Sequence, residues 1–211
     1  MATIPRLRGT SHVVAAVVAL AGAILIVTIA PTVRAAVGVT IYGVGLVSLF
    51  AASALYHRWP GPVRFKPLLQ RIDHGTIYVF IAASYTPIVL LLHGAMAWVV
   101  LTLAWVGAAA GVGLRLGRPD APRIAMAGSY LVLGWLAIIV IPQLLGVLGV
   151  PALILLGAGG LIYSAGAVVY ATQRPDPWPR TFGFHEIFHA LVIAAAITQY
   201  IAIVGWALPA A

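Results

Sequence analysis

Seven apolar runs, each close to the length of a membrane-spanning helix, constrain this chain more than any other feature of it. They cover residues 13–33, 35–57, 72–92, 95–114, 124–141, 151–172 and 184–208, and short charged or Pro/Gly-rich breaks separate them. A helix rising about 1.5 Å per residue needs roughly 20 such residues to cross the bilayer core. Lipid leaves no partner for an unpaired backbone group, and the runs lack the alternation of barrel strands. The expected fold is therefore all-α: one polytopic membrane domain over residues 1–211, a bundle of seven transmembrane helices. With 63% hydrophobic and 8% charged residues, the chain lies outside the balance of a soluble domain. Arg6 and Arg8 precede the first run as they would in a secretory leader. That run is too long for a leader's apolar core, and it is read as a first transmembrane helix.

The basic residues then orient the bundle. Numbering the connections alternately, one side collects Arg6, Arg8, Arg58, Arg64, Lys66, Arg71, Arg115, Arg118, Arg123, Arg174 and Arg180, whereas the other holds only Arg34. Basic loops stay in the cytoplasm, so the N-terminus is expected inside and the C-terminus outside. The net charge of +8 accordingly reads as a topology signal and not as a nucleic-acid surface. Gly107 with Gly111, and Gly113 with Gly117, have the four-residue spacing that suits close helix packing in lipid. Pro87 predicts a kink in the third helix near Tyr85 and Thr86.

Against this apolar background a few polar residues stand out. Cysteine is absent, so any metal must be held by His, Asp, Glu or Ser. His185 and His189 are four residues apart and share one helical face, as two ligands of one ion do. Ser53 and His57 repeat that spacing at the end of the second run, and Asp73 opens the third. The topology places all of them at the cytoplasmic ends of their helices. If the faces converge, His57, His185 and His189 supply three imidazoles, the ligand count of a catalytic zinc site whose fourth position takes water. Asp73 could then take a proton from that water, and Ser53 could orient it or donate to a substrate oxygen. Taken singly, each has a plainer reading: His57 beside Arg58 as a headgroup anchor, Asp73 with Arg71 as a loop ion pair, Ser53 as helix packing. His12 and His93 are read as interfacial, and His74 as a loop residue or a neighbour of the site.

These residues fall in four fragments, residues 53–57 (Ser-Ala-Leu-Tyr-His), 71–75 (Arg-Ile-Asp-His-Gly), 84–87 (Ser-Tyr-Thr-Pro) and 182–189 (Phe-Gly-Phe-His-Glu-Ile-Phe-His). In this order the chain resembles the bacterial hemolysin III family, part of the progestin and adipoQ receptor group that includes the adiponectin receptors. The resemblance implies zinc bound by His57, His185 and His189, with Asp73 holding a water on the ion. It further implies seven helices with the N-terminus inside a bacterial plasma membrane, and a membrane lipid as substrate or ligand.

Three functions compete. The first is a zinc-dependent intramembrane hydrolase acting on a lipid amide or ester in membrane-lipid homeostasis, with Asp73 and Ser53 as catalytic residues. The second reads His185-Glu186-x-x-His189 as a zinc-protease motif with Glu186 as base. That motif needs a third ligand, and no His, Asp or Glu follows His189. The third is a non-enzymatic regulator or channel-like protein with a structural zinc. A conducting pore carries polar residues along several spans, whereas here they gather at one end.

Overall fold

The computed structural model describes residues 9–211, so Arg6 and Arg8 lie outside the described residues. The fold is all-α. Its helices are α1 (Thr10–Thr28), α2 (Val33–Arg58), α3 (Lys66–Val89), α4 (Ala95–Gly117), α5 (Arg123–Gly134), α6 (Ile141–Thr172) and α7 (Phe184–Ala202). A short 3-10 turn, Val63–Phe65, leads into α3, and a longer 3-10 stretch, Trp135–Val140, joins α5 to α6. The chain ends in a π-helical turn over Ile203–Ala207. Consecutive helices pack as neighbours from α1 to α4, α6 lies along α7, and α7 returns against α1. The Tyr200 hydroxyl of α7 donates to the Gly22 carbonyl of α1 at 2.9 Å, which ties the two ends of the chain together.

Among the described residues, five helical stretches are long and apolar enough to cross a membrane: residues 10–28, 33–58, 95–117, 123–172 and 184–207. Their outer faces carry exposed Val17, Val18, Val44 and Leu161, an apolar surface suited to lipid and costly in water. α3 is not among the five: even its most apolar part, residues 72–89, carries Asp73, His74 and several Ser, Thr, Tyr and Pro residues. It also starts six residues earlier than expected, since Pro67 suits the first turn of a helix and Lys66 and Arg71 extend that turn beyond the apolar run. The largest departure lies between residues 123 and 172. The break between the expected fifth and sixth runs is shorter than expected: residues 141–148 are already helical, and the backbone leaves the helix at Gly149 with φ 74° and ψ 175°, where two helices meet at a kink. That left-handed conformation suits glycine, and it comes two residues before Pro151, where a helix needs no N–H.

Smaller expectations are also revised. α3 runs through Pro87 and ends at Val89, so the proline sits in the final turn and not at a mid-helix kink. Gly111 is where the Tyr78 ring lies against α4, and Gly107 faces Leu133, but Gly113 and Gly117 face open space and do not mediate packing. α4 continues to Gly117 and carries Arg115 with it. That residue, expected in a loop, is 4% exposed, and its guanidinium donates to the Pro119 carbonyl.

The 3-10 stretch after α5 disturbs the regular ladder of backbone hydrogen bonds within an apolar segment, and Tyr85 meets the need. Its hydroxyl contacts the Leu133 and Gly134 carbonyls at 3.0 and 2.6 Å and accepts from the Ala137 N–H at 3.0 Å. Tyr85→Phe keeps the ring and strips these partners. The expected result is a destabilisation of about 1–3 kcal/mol, the cost of orphaning buried polar groups, read as a lower midpoint in detergent-solubilised thermal melts.

Candidate metal centre

The site grows from the first turn of α7. Gly183 breaks the preceding loop, and two carboxylates satisfy N–H groups that the helix start would otherwise leave unpaired. Asp176 Oδ1 accepts from the Phe184 N–H at 2.9 Å, and Glu186 Oε2 folds back to accept from the Gly183 N–H at 2.9 Å. With the helix anchored in this way, His185 and His189 stand one turn apart on a face turned toward α2. There His57 meets them from the last turn of its own helix.

The three imidazoles offer ligand nitrogens that all lie within 4.8 Å of one another. His57 Nε2 and His185 Nε2 are 3.0 Å apart, and the ring of His189 is centred 5.1 Å from that of His57 and 4.4 Å from that of His185. Nitrogens bound tetrahedrally to zinc at about 2.0–2.1 Å would stand roughly 3.4 Å apart. The cluster thus reaches that geometry with side-chain adjustments of an ångström or so, and its all-nitrogen donor set suits zinc. His189 is 2% exposed, and His57 and His185 are partly buried.

Asp73 arrives from α3, 7% exposed, with Oδ2 at 4.0 Å from His57 Nε2. It is part of a helix, not of a loop. Ser53, one turn before His57 on α2 and also buried, and Arg115 of α4 both lie close enough to act on it electrostatically. Residues from α2, α3 and α7, far apart in sequence, are in this way brought to one place. His74 joins them: it lines the same cavity, its ring meets Tyr170 edge-on, and its carbonyl accepts from the Tyr130 hydroxyl at 3.2 Å.

Two residues at the site differ from their sequence reading. His12 is not interfacial. It is 3% exposed and stacks on His189, with ring centroids 3.8 Å apart and planes within 12°. Its spacing from any other polar residue gave no sign of this. Arg115 was legible only as a basic residue near a helix end. His93, by contrast, is exposed as expected.

Beyond the histidines a cavity of about 190 Å³ runs into the bundle. Ser53, Asp73, His185 and His189 contribute to its polar end, and Phe80, Val140 and Leu156 are among the apolar residues of its wall.

Glu186 bears on the protease motif. Its carboxylate caps its own helix, and Asp73 is the carboxylate beside the cluster. Glu186→Gln is expected to lower stability by about 0.5–2 kcal/mol through the weakened cap while leaving metal content at the wild-type level. Metal analysis beside a thermal melt of the same sample checks both.

These features define a class, the polytopic helical membrane proteins with a three-histidine candidate metal centre. A family model described as "Haemolysin-III related" matches residues 2–200. The chain belongs to the haemolysin III family. It is 31% identical to Hemolysin-3 of Bacillus cereus over 181 residues, 85% of this chain and 80% of that one. It is 32% identical to the Hemolysin-3 homolog of Bacillus subtilis (strain 168) over 165 residues, 78% and 74% of the two chains. A more distant relative is the human Monocyte to macrophage differentiation factor, 30% identical over 173 residues, 77% of this chain and 67% of that one.

Proposed function

We propose that this protein is a zinc-dependent intramembrane hydrolase that cleaves an amide or ester bond of a membrane lipid. The observation that carries the reading is the convergence of His57, His185 and His189, with Asp73 at 4.0 Å from His57, at the polar end of a largely apolar cavity. A lipid suits that cavity because its chain meets apolar walls while its polar linkage stays beside the histidines.

His57, His185 and His189 would hold the ion through neutral imidazole nitrogens. When bound, zinc supplies Lewis-acid polarisation of a carbonyl and eases deprotonation of water. The chain's own groups do the rest. Asp73 takes the proton at Oδ2 and returns it to the leaving group. Ser53 holds the Asp73 carboxylate in place, and the buried helices around it keep bulk water out, which strengthens each electrostatic contact.

The accompanying topology is seven crossings in the plasma membrane with the N-terminus inside. α3 forms one crossing, and residues 123–172 form two that meet around Gly149. This places the site at the cytoplasmic leaflet.

Purified protein in nanodiscs tests the reading. One zinc per chain and chelator-sensitive release of fatty acid from an N-acyl or ester lipid support it. Zinc-free protein, or stoichiometric zinc with no hydrolysis across both lipid classes, overturns it.

A further inference from the structure

The first turn of α1 is packed onto the candidate metal centre at two points. Gly9, with φ 75°, lies so close to His57 that an added Cβ would fall 2.6 Å from the His57 Cβ. One turn on, His12 stacks face to face on His189 and receives the Phe50 ring edge-on, with centroids 5.1 Å apart and planes at 68°. Arg58, next to His57, donates to Thr10 at 3.1 Å and fastens this turn to the end of α2.

We infer that His12 is a positioning residue of the metal centre, which sets the plane of the His189 ring by stacking and is not itself a ligand. The proposal rests on the zinc reading above. A histidine lone pair lies in the ring plane, so an ion held by His189 sits in the His189 plane. With the His12 plane within 12° of parallel and its centroid 3.8 Å away, the in-plane lone pairs of His12 would not be directed to the point at which His189 directs its own. His12 also falls outside the group of nitrogens that converge. Its contribution is the flat face: clamped between Phe50 and His189, it leaves the His189 ring little freedom to rotate. Among the described residues neither His12 ring nitrogen finds a hydrogen-bond partner of ordinary geometry. Both ring nitrogens are buried, so what His12 presents to the centre is the face of its ring.

The test compares His12→Leu, which keeps the volume without an aromatic plane, with His12→Phe, which keeps the plane without the nitrogens. Zinc affinity is measured on the full chain in detergent by competition with a chromophoric chelator, and ligand geometry by the visible spectrum of the cobalt-loaded protein. Melts of the metal-free variants check folding. The expected result is that His12→Leu weakens zinc by about 10- to 100-fold, the usual effect of losing a partner that orients a ligand, and shifts the cobalt bands. His12→Phe is expected to match the wild type in both. Wild-type affinity and spectrum in His12→Leu overturn the inference alone, as does a His12→Phe variant impaired as much as His12→Leu. Wild-type protein that binds no zinc overturns the zinc reading itself, and this inference with it.

Discussion

His189→Ala is expected to remove zinc from the protein, weakening its binding by more than about 100-fold, beyond the loss that an outer partner causes. Of the three imidazoles it is the most buried, and its ring is held by His12 on one face. Alanine leaves two nitrogens, His57 Nε2 and His185 Nε2, already within hydrogen-bonding distance of each other at 3.0 Å. With the ion gone these two can pair through one shared proton. The fold therefore survives while the metal does not. Metal analysis of purified His57→Ala, His185→Ala and His189→Ala beside the wild type checks this. A His189→Ala protein that keeps stoichiometric zinc would remove His189 from the centre.

Asp73→Asn is expected to separate binding from turnover. The amide has the shape of the carboxylate and keeps its place beside Ser53, so zinc content stays at the wild-type level. What it cannot do is accept a proton, and loss of a general base costs about 10²- to 10⁴-fold in rate. The measurement is fatty-acid release from a lipid amide or ester in nanodiscs, with zinc quantified in the same preparation. Undiminished hydrolysis would dismiss Asp73 as the base. Loss of zinc would make it a ligand instead. Set beside Glu186→Gln, whose carboxylate is engaged with the Gly183 N–H, this variant also distinguishes the hydrolase from the protease motif.

Much of the candidate centre was legible because metal ligation leaves a spacing. His185 and His189 must lie one turn apart to serve one ion, and a charged or ionisable group in an apolar run stands out against a uniform background. The spacing of Ser53 and His57, and the position of Asp73 at the mouth of a run, were visible for the same reason. His12 left no such mark. It lies near the start of an apolar run, where an interfacial histidine is equally at home, and only the packing of α1 against α7 turns it onto His189. Arg115 was hidden because basic residues near helix ends are read as topology signals, and nothing local says which of them folds inward.

Composition and apolar run length by themselves determined an all-α membrane protein, because lipid admits few other backbones, and Ser53, His57, Asp73, His185 and His189 lie on the helices expected of them. Tertiary structure alone decided which faces turn inward. In lipid both faces of a helix are apolar, so sequence periodicity does not separate a face packed on another helix from one packed on acyl chains. The same ambiguity hid how short the break between α5 and the kink at Gly149 is, since the 3-10 stretch after α5 is held by Tyr85 reaching across from α3 and the kink is set by glycine geometry. It hid as well the aromatic contact through which α1 completes the surroundings of His189.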